Sequence, residues 1–234
     1  MENNSVSETI SNYNPNTINQ PDINGETQLM IAASIGDITL VKHCLDNGAD
    51  PYAQDKRGRT ALHYSMKSFN LDEKLVLLLG QDRAMINTQN ELGNTPFHGL
   101  FLIHSKPDIM LKIAREFYKR GGDINIQNNK GETPAILSCY ERDSALSRGI
   151  CDLNPDINLQ DIAGETFSMH MIKHFHDVDK KLLGEFFAKS LSKIDFSLKD
   201  RKGANLAKWI DSYGLRKDYT AWILSNKNIS KISL

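Results

Sequence analysis

Apolar residues along this chain fall into short helical stretches separated by polar turns. In the first clear stretch they stand at Leu29, Ala32 and Ala33 and then, after a break at Gly36, at Ile38, Val41, Cys44 and Leu45. Steps of three and four place each set on one helical face, so the pattern predicts two short helices joined by a turn. The longest apolar runs, Leu75 to Leu79 and Leu100 to Ile103, suit buried helix faces and fall far short of a bilayer span, so no membrane insertion is expected. Between Asp143 and Asn154 strong apolar positions are few, which predicts a short or irregular helix there.

The polar positions repeat. Gly25, Gly58, Gly93, Gly131, Gly164 and Gly203 each follow an Asp or Asn by three residues and precede Thr or Asn by two, at spacings of 33, 35, 38, 33 and 39. Asn19, Asn87, Asn125 and Asn158 each lie six residues before their Gly. Gly tolerates positive φ and the Asp or Asn side chain can bond backbone two residues on, so this is a tight turn. The Thr that follows stands where a helix N-cap is wanted, with Pro96 and Pro134 at the first helical position. A lone pair of short helices cannot bury its apolar face, and a fixed period of this length implies stacked units sharing one core.

The unit from Gly25 through Asp50 and Pro51, with Thr60-Ala61-Leu62-His63 and Thr95-Pro96-Phe97-His98 in the next two, resembles the ankyrin repeat family from about Thr17 to about Leu224. The resemblance implies an all-α solenoid of stacked helix-turn-helix units with hairpin turns, five repeats plus a C-terminal cap. Residues 1–16, polar and rich in Asn, Ser and Thr, are expected to be disordered, and 17–234 to form a single domain. The third and fifth units are lengthened near Ile103 to Asp108 and His174 to Lys180. The last unit has Asn205 for Thr and adds Trp209, Tyr213, Tyr219 and Trp222, as a cap would.

Composition changes this picture little. Charged residues are 24% and hydrophobic ones 40%, ordinary for a soluble domain, and no signal peptide is expected, since Met1 to Asn16 is polar and lacks an apolar segment. Cys44, Cys139 and Cys151 lack a metal or disulfide spacing, which points to a reducing, cytoplasmic setting. Residues 1–55 hold eight acidic residues against one basic, and 180–217 ten basic against four acidic, an asymmetry able to orient a charged partner. A net charge of −1 and the lack of interleaved aromatics beside Lys56, Arg57, Arg59, Arg201 and Lys202 argue against specific nucleic-acid binding.

Candidate chemistry is sparse. No glycine-rich phosphate loop, nucleophile elbow or kinase signature is present. His170 and His174 are spaced for one helix face but lack the Glu of a zinc helix, so no metal or other cofactor is expected and His174 is taken as solvated or partner-facing. The resemblance implies that His63 and His98 are structural. It also implies that partners are met at turn tips and at the ends of first helices. There stand Arg57, Arg59, Lys67, Leu92, Leu102, Ile103, Tyr140, Glu141, Lys173 and His174. A patch of Leu92, Leu102, Ile103 and Tyr140 is the expected centre, unless the lengthened third unit covers Leu102 and Ile103.

The function expected is non-enzymatic capture of another protein by a monomer. The Asn-, Ile- and Lys-rich vocabulary resembles that of effectors that bacteria deliver into host cells, and a viral or protozoan source fits as well. Two alternatives stay open: an enzyme with its site in 140–176, and a subunit that self-associates through Trp209, Tyr219 and Trp222.

Overall fold

A computed structural model describes residues 17–66, 71–103 and 105–225, with side chains up to residue 221. Residues 1–16, Lys67, Ser68 and the side chain of Trp222 lie outside the described part. The chain divides into two compact units, one ending at Asp123 and the other beginning at Ile124. Among the described residues there is no strand, only isolated bridges pairing Gln160 with Thr166 and Lys199 with Asn205.

The first unit contains α1 (Gln28–Ile35), α2 (Ile38–Asp46), α3 (Ala61–Ser65), α4 (Glu73–Leu79), α5 (Arg83–Asn87), α6 (Pro96–Gly99) and α7 (Pro107–Lys119). Several of these helices begin at a capping side chain. Thr27 and Thr95 accept from the backbone N–H three residues on, and Asp37 and Asp72 cap α2 and α4. The core gathers Leu29, Val41, Leu62, Val76, Ile113 and Phe117, with Phe97 set edge-on against Phe117 at 5.6 Å. Each such side chain contributes roughly 1.5–3 kcal/mol of burial.

The second unit contains α8 (Pro134–Ser138), α9 (Ser144–Cys151), α10 (Phe167–Phe175), α11 (Lys180–Ser190), α12 (Leu206–Ser212) and α13 (Arg216–Ser225). The short or irregular helix expected within 143–154 is found as a short one. α9 is a regular helix of eight residues capped by Asp143, and it buries Leu146, Ser147, Gly149 and Ile150. Small Ser and Gly at the contact let the backbone approach closely, so few large apolar residues are needed. The irregularity lies earlier, where α8 runs into a 3-10 turn at Cys139–Glu141 and Arg142 takes φ 52°. Tyr219 is corrected as a self-association residue, being 1% exposed with its ring 5.4 Å from Phe187.

Two backbone devices stack the repeats within each unit. The turn glycines adopt φ between +71° and +84°, and the tips join through Lys56 N–H to Asn24 O and Glu91 N–H to Arg57 O in the first unit. Ile162 N–H to Lys130 O and Arg201 N–H to Ala163 O do the same in the second. The recurring Asn supplies the other device. Asn87 donates to Gly121 O and accepts from Asp123 N–H, while Asn158 donates to Lys193 O and accepts from Asp195 N–H.

Candidate functional site

Turn chemistry builds the site. At the second repeat the Asp55 Oδ1 accepts from the Arg57 and Arg59 backbone N–H groups, both at 2.8 Å, which shapes the tip. Its Oδ2 accepts from Arg59 Nε at 2.6 Å and from the Tyr64 hydroxyl at 2.8 Å. Burial works to raise the Asp55 carboxyl, but these donors together hold it below the usual carboxylate range. Arg59 also reaches Glu26 and lies over the Tyr64 ring, and its side chain is only 16% exposed. Its guanidinium is committed to the scaffold. Arg57 differs, since its side chain is 66% exposed and among the described residues it meets only Glu91, at 3.6 Å.

Between the second and third turn tips lies a groove of about 280 Å³. Arg57, Glu91, Leu92, Met66, Gly99, Leu102 and Ile103 line it. Leu102 is 56% exposed and Leu92 57%, so the lengthened third unit leaves both open to solvent. The sequence-predicted Arg57, Arg59, Leu92, Leu102 and Ile103 thus line one groove, and Lys67 lies outside the described residues. His63 is part of its wall and of the scaffold, with Nδ1 accepting from Thr60 N–H and Nε2 at 3.0 Å from Asn94 O. His98 Nδ1 accepts from Thr95 N–H in the same way.

The second unit holds the remaining candidates. Tyr140, 40% exposed, meets Glu132 through its hydroxyl and stands edge-on to the His170 and His174 rings, which stack in parallel at 6.0 Å. His174 is therefore half-buried rather than solvated. Burial first, then the charges of His170, Lys173 and Arg142, lowers its pKa to about 4. Lys173 pairs with Glu165 at 2.8 Å and lies over the Trp209 ring. Glu141 closes the 3-10 turn.

Asp161, Glu165 and His170 bring three donor atoms within 4.8 Å of one another, a grouping that could hold a cation. A scaffold contact explains it better. His170 Nε2 lies 2.9 Å from Asp161 Oδ2, nine residues earlier, as Tyr64 meets Asp55 and Trp209 Nε1 meets Asp200. The same contact made by three different ring or hydroxyl donors belongs to the turn. Sequence reasoning missed this pairing, although Asp at the turn with Tyr, His or Trp nine residues later was its visible signal. Burial raises the Cys44 thiol to about 11 and the Cys151 thiol to about 12, so neither is a ready nucleophile.

A family profile described as ankyrin repeats matches residues 1–90. A crystal structure of an ankyrin repeat domain from Acinetobacter baumannii superposes with a TM-score of 0.67 at 22% identity, covering 84% of this chain and 96% of that one. The chain carries ankyrin repeats over residues 1–90. Its fold is the all-helical ankyrin solenoid. Among curated ankyrin relatives, the phosphocholine transferase AnkX of Legionella pneumophila is 26% identical over 133 residues, covering 51% of this chain and 14% of that protein. An ankyrin repeat protein of fowlpox virus is 26% identical over 157 residues, 54% of this chain and 80% of the viral one. For five relatives the aligned part is 14% to 24% of the relative's own length. Ankyrin repeats are in general protein-binding modules, and among the described residues no helix is long and apolar enough to cross a membrane.

Proposed function

We propose that this ankyrin repeat protein is a non-enzymatic module, working as a monomer in the cytoplasm, that captures a partner protein on its concave face, with the groove in the first unit as the anchor. One observation carries the reading: Leu92, Leu102 and half-buried Ile103 are held open beside Arg57, although stacking requires none of them there. A large apolar side chain placed among them loses water on all sides, and a rigid groove loses little conformational entropy on binding. Tyr140, Glu141, Lys173 and His174 are proposed as a secondary surface of the second unit. Within 140–176 Tyr140, His170 and Lys173 are engaged with Glu132, Asp161 and Glu165, and burial holds the Cys151 thiol protonated, which supports binding over catalysis.

A partner captured from cell lysate by the whole chain should be lost on Leu102→Asp and on Leu92→Asp while thermal unfolding stays unchanged. Undiminished capture by both variants overturns the groove. Action as a delivered bacterial effector on a host protein is a second reading, favoured by the match to the Legionella protein. Its test is detection of the chain in host cytosol during infection.

A further inference from the structure

The groove marks the place of a missing side chain. Nine residues after the turn Asp or Asn, the repeats carry Ile31, Tyr64, Gly99, Leu137, His170 and Trp209, so only the third has none. Gly99 lines the groove, and a Cβ built on it would stand 3.2 Å from Cγ of Met66, which also lines it. Where Tyr64 and Trp209 stand, each fills its own repeat with a ring and donates to the turn carboxylate at 2.8 and 3.0 Å.

Polarity is reversed at the same point. Asn90 replaces Asp, and its Oδ1 accepts from Leu92 and Asn94 N–H at 2.9 and 3.1 Å, the role Asp55 Oδ1 plays one repeat earlier. The other carboxylate oxygen is thereby exchanged for an NH₂, and among the described residues its two donors have no hydrogen-bond partner. A group entering this groove meets donors where a neighbouring repeat offers an acceptor. Arg57 adds a cation to the lining, but Glu91 at 3.6 Å nearly cancels it. Discrimination then falls to the short-range Asn90 amide.

We propose that the groove takes one large apolar or aromatic side chain of a partner peptide with a carboxylate beside it, the ring filling the space over Gly99 and the carboxylate accepting from Asn90 Nδ2. The proposal rests on the partner-binding reading and adds the partner's chemistry. The volume of about 280 Å³ accommodates a phenyl ring with its attached carboxylate.

The test uses 3-phenylpropanoate and 3-phenylpropylamine as probes, titrated into the whole ¹⁵N-labelled chain. The carboxylate is expected to bind about tenfold more tightly than the amine, as one charge-assisted hydrogen bond implies, with shifts at the Asn90 side-chain amide and at Gly99. Asn90→Asp restores the residue that four other turns carry, so it keeps the fold, and it should reverse the preference. Gly99→Leu, which copies Leu137, should abolish binding of both probes. Equal binding of the two probes by the unaltered chain, or an unchanged preference in Asn90→Asp, overturns the proposal. Partner capture completes the test: loss in Asn90→Asp supports it. Loss in Leu102→Asp alone leaves the groove as the binding surface and overturns the carboxylate.

Discussion

Replacing Gly164 and Gly203 by Ala separates the two roles of the turn glycine. Both adopt positive φ, +75° and +74°, so both substitutions carry the left-handed penalty. That penalty is about 1–2 kcal/mol, offset by about 0.4–1 kcal/mol from a stiffer unfolded chain, leaving roughly 1 kcal/mol. At Gly203 nothing among the described residues lies within 4 Å of the added Cβ. At Gly164 the Cβ would stand 2.9 Å from Asp200 Cα and 3.0 Å from Lys199 O. Relief requires pushing the next tip away by about half an ångström, against the 2.8 Å bond from Arg201 N–H to Ala163 O. Overpacking of this kind costs about 1–3 kcal/mol, so Gly164→Ala should lose about 2 kcal/mol more than Gly203→Ala. Urea unfolding followed by circular dichroism, with equal m-values, gives the difference directly, and it corresponds to about 4–8 °C in Tm for a chain of this size. Losses equal to within about 0.5 kcal/mol would refute the claim that close tip-to-tip approach, rather than φ alone, demands glycine.

Three further outcomes follow from the same structure. Asn158→Ala removes the bond to Lys193 O and the one from Asp195 N–H, and should cost about 1–2 kcal/mol, visible as faster amide exchange at Asp195. Tyr64→Phe strips donors from Asp55 and Glu26, should cost about 1 kcal/mol in thermal melts, and should bring the Asp55 pKa up in a carboxyl titration by NMR. His174 titrates near 4 when folded and near 6.5 when unfolded, so the unfolded chain binds more protons in that window and stability falls as pH drops through it. Urea midpoints at pH 7 and pH 5 should therefore differ less in His174→Phe than in the unaltered chain, and an identical pH slope in both would count against the burial of this ring.

The frame was legible because its residues act locally. Gly25, Thr95 and Pro134 each dictate a backbone angle or a cap within a few residues of themselves, and helices start beside them. Arg57, Leu92, Leu102 and Ile103 could be named as surface positions through resemblance to a repeat whose slots are known. Their gathering around a cavity could not, because the cavity depends on what Gly99 lacks. The commitment of Arg59 and His170 to turn carboxylates was hidden for another reason. Their partners lie four and nine residues away across a turn, and a nine-residue step belongs to neither helix nor strand periodicity. Ser147 and Gly149 conceal a contact instead, since small residues at a close helix contact look like the absence of a core.

In the first unit, main-chain bonds join the tips, Lys56 N–H to Asn24 O and Glu91 N–H to Arg57 O. A main-chain bond is indifferent to the side chain it carries. Tip residues whose side chains take no part in the turn, such as Leu92, can therefore be exchanged one at a time without altering the spacing of their neighbours, and the effects of such exchanges at separate tips should add. The proposed recognition surface is in this sense a row of largely independent settings.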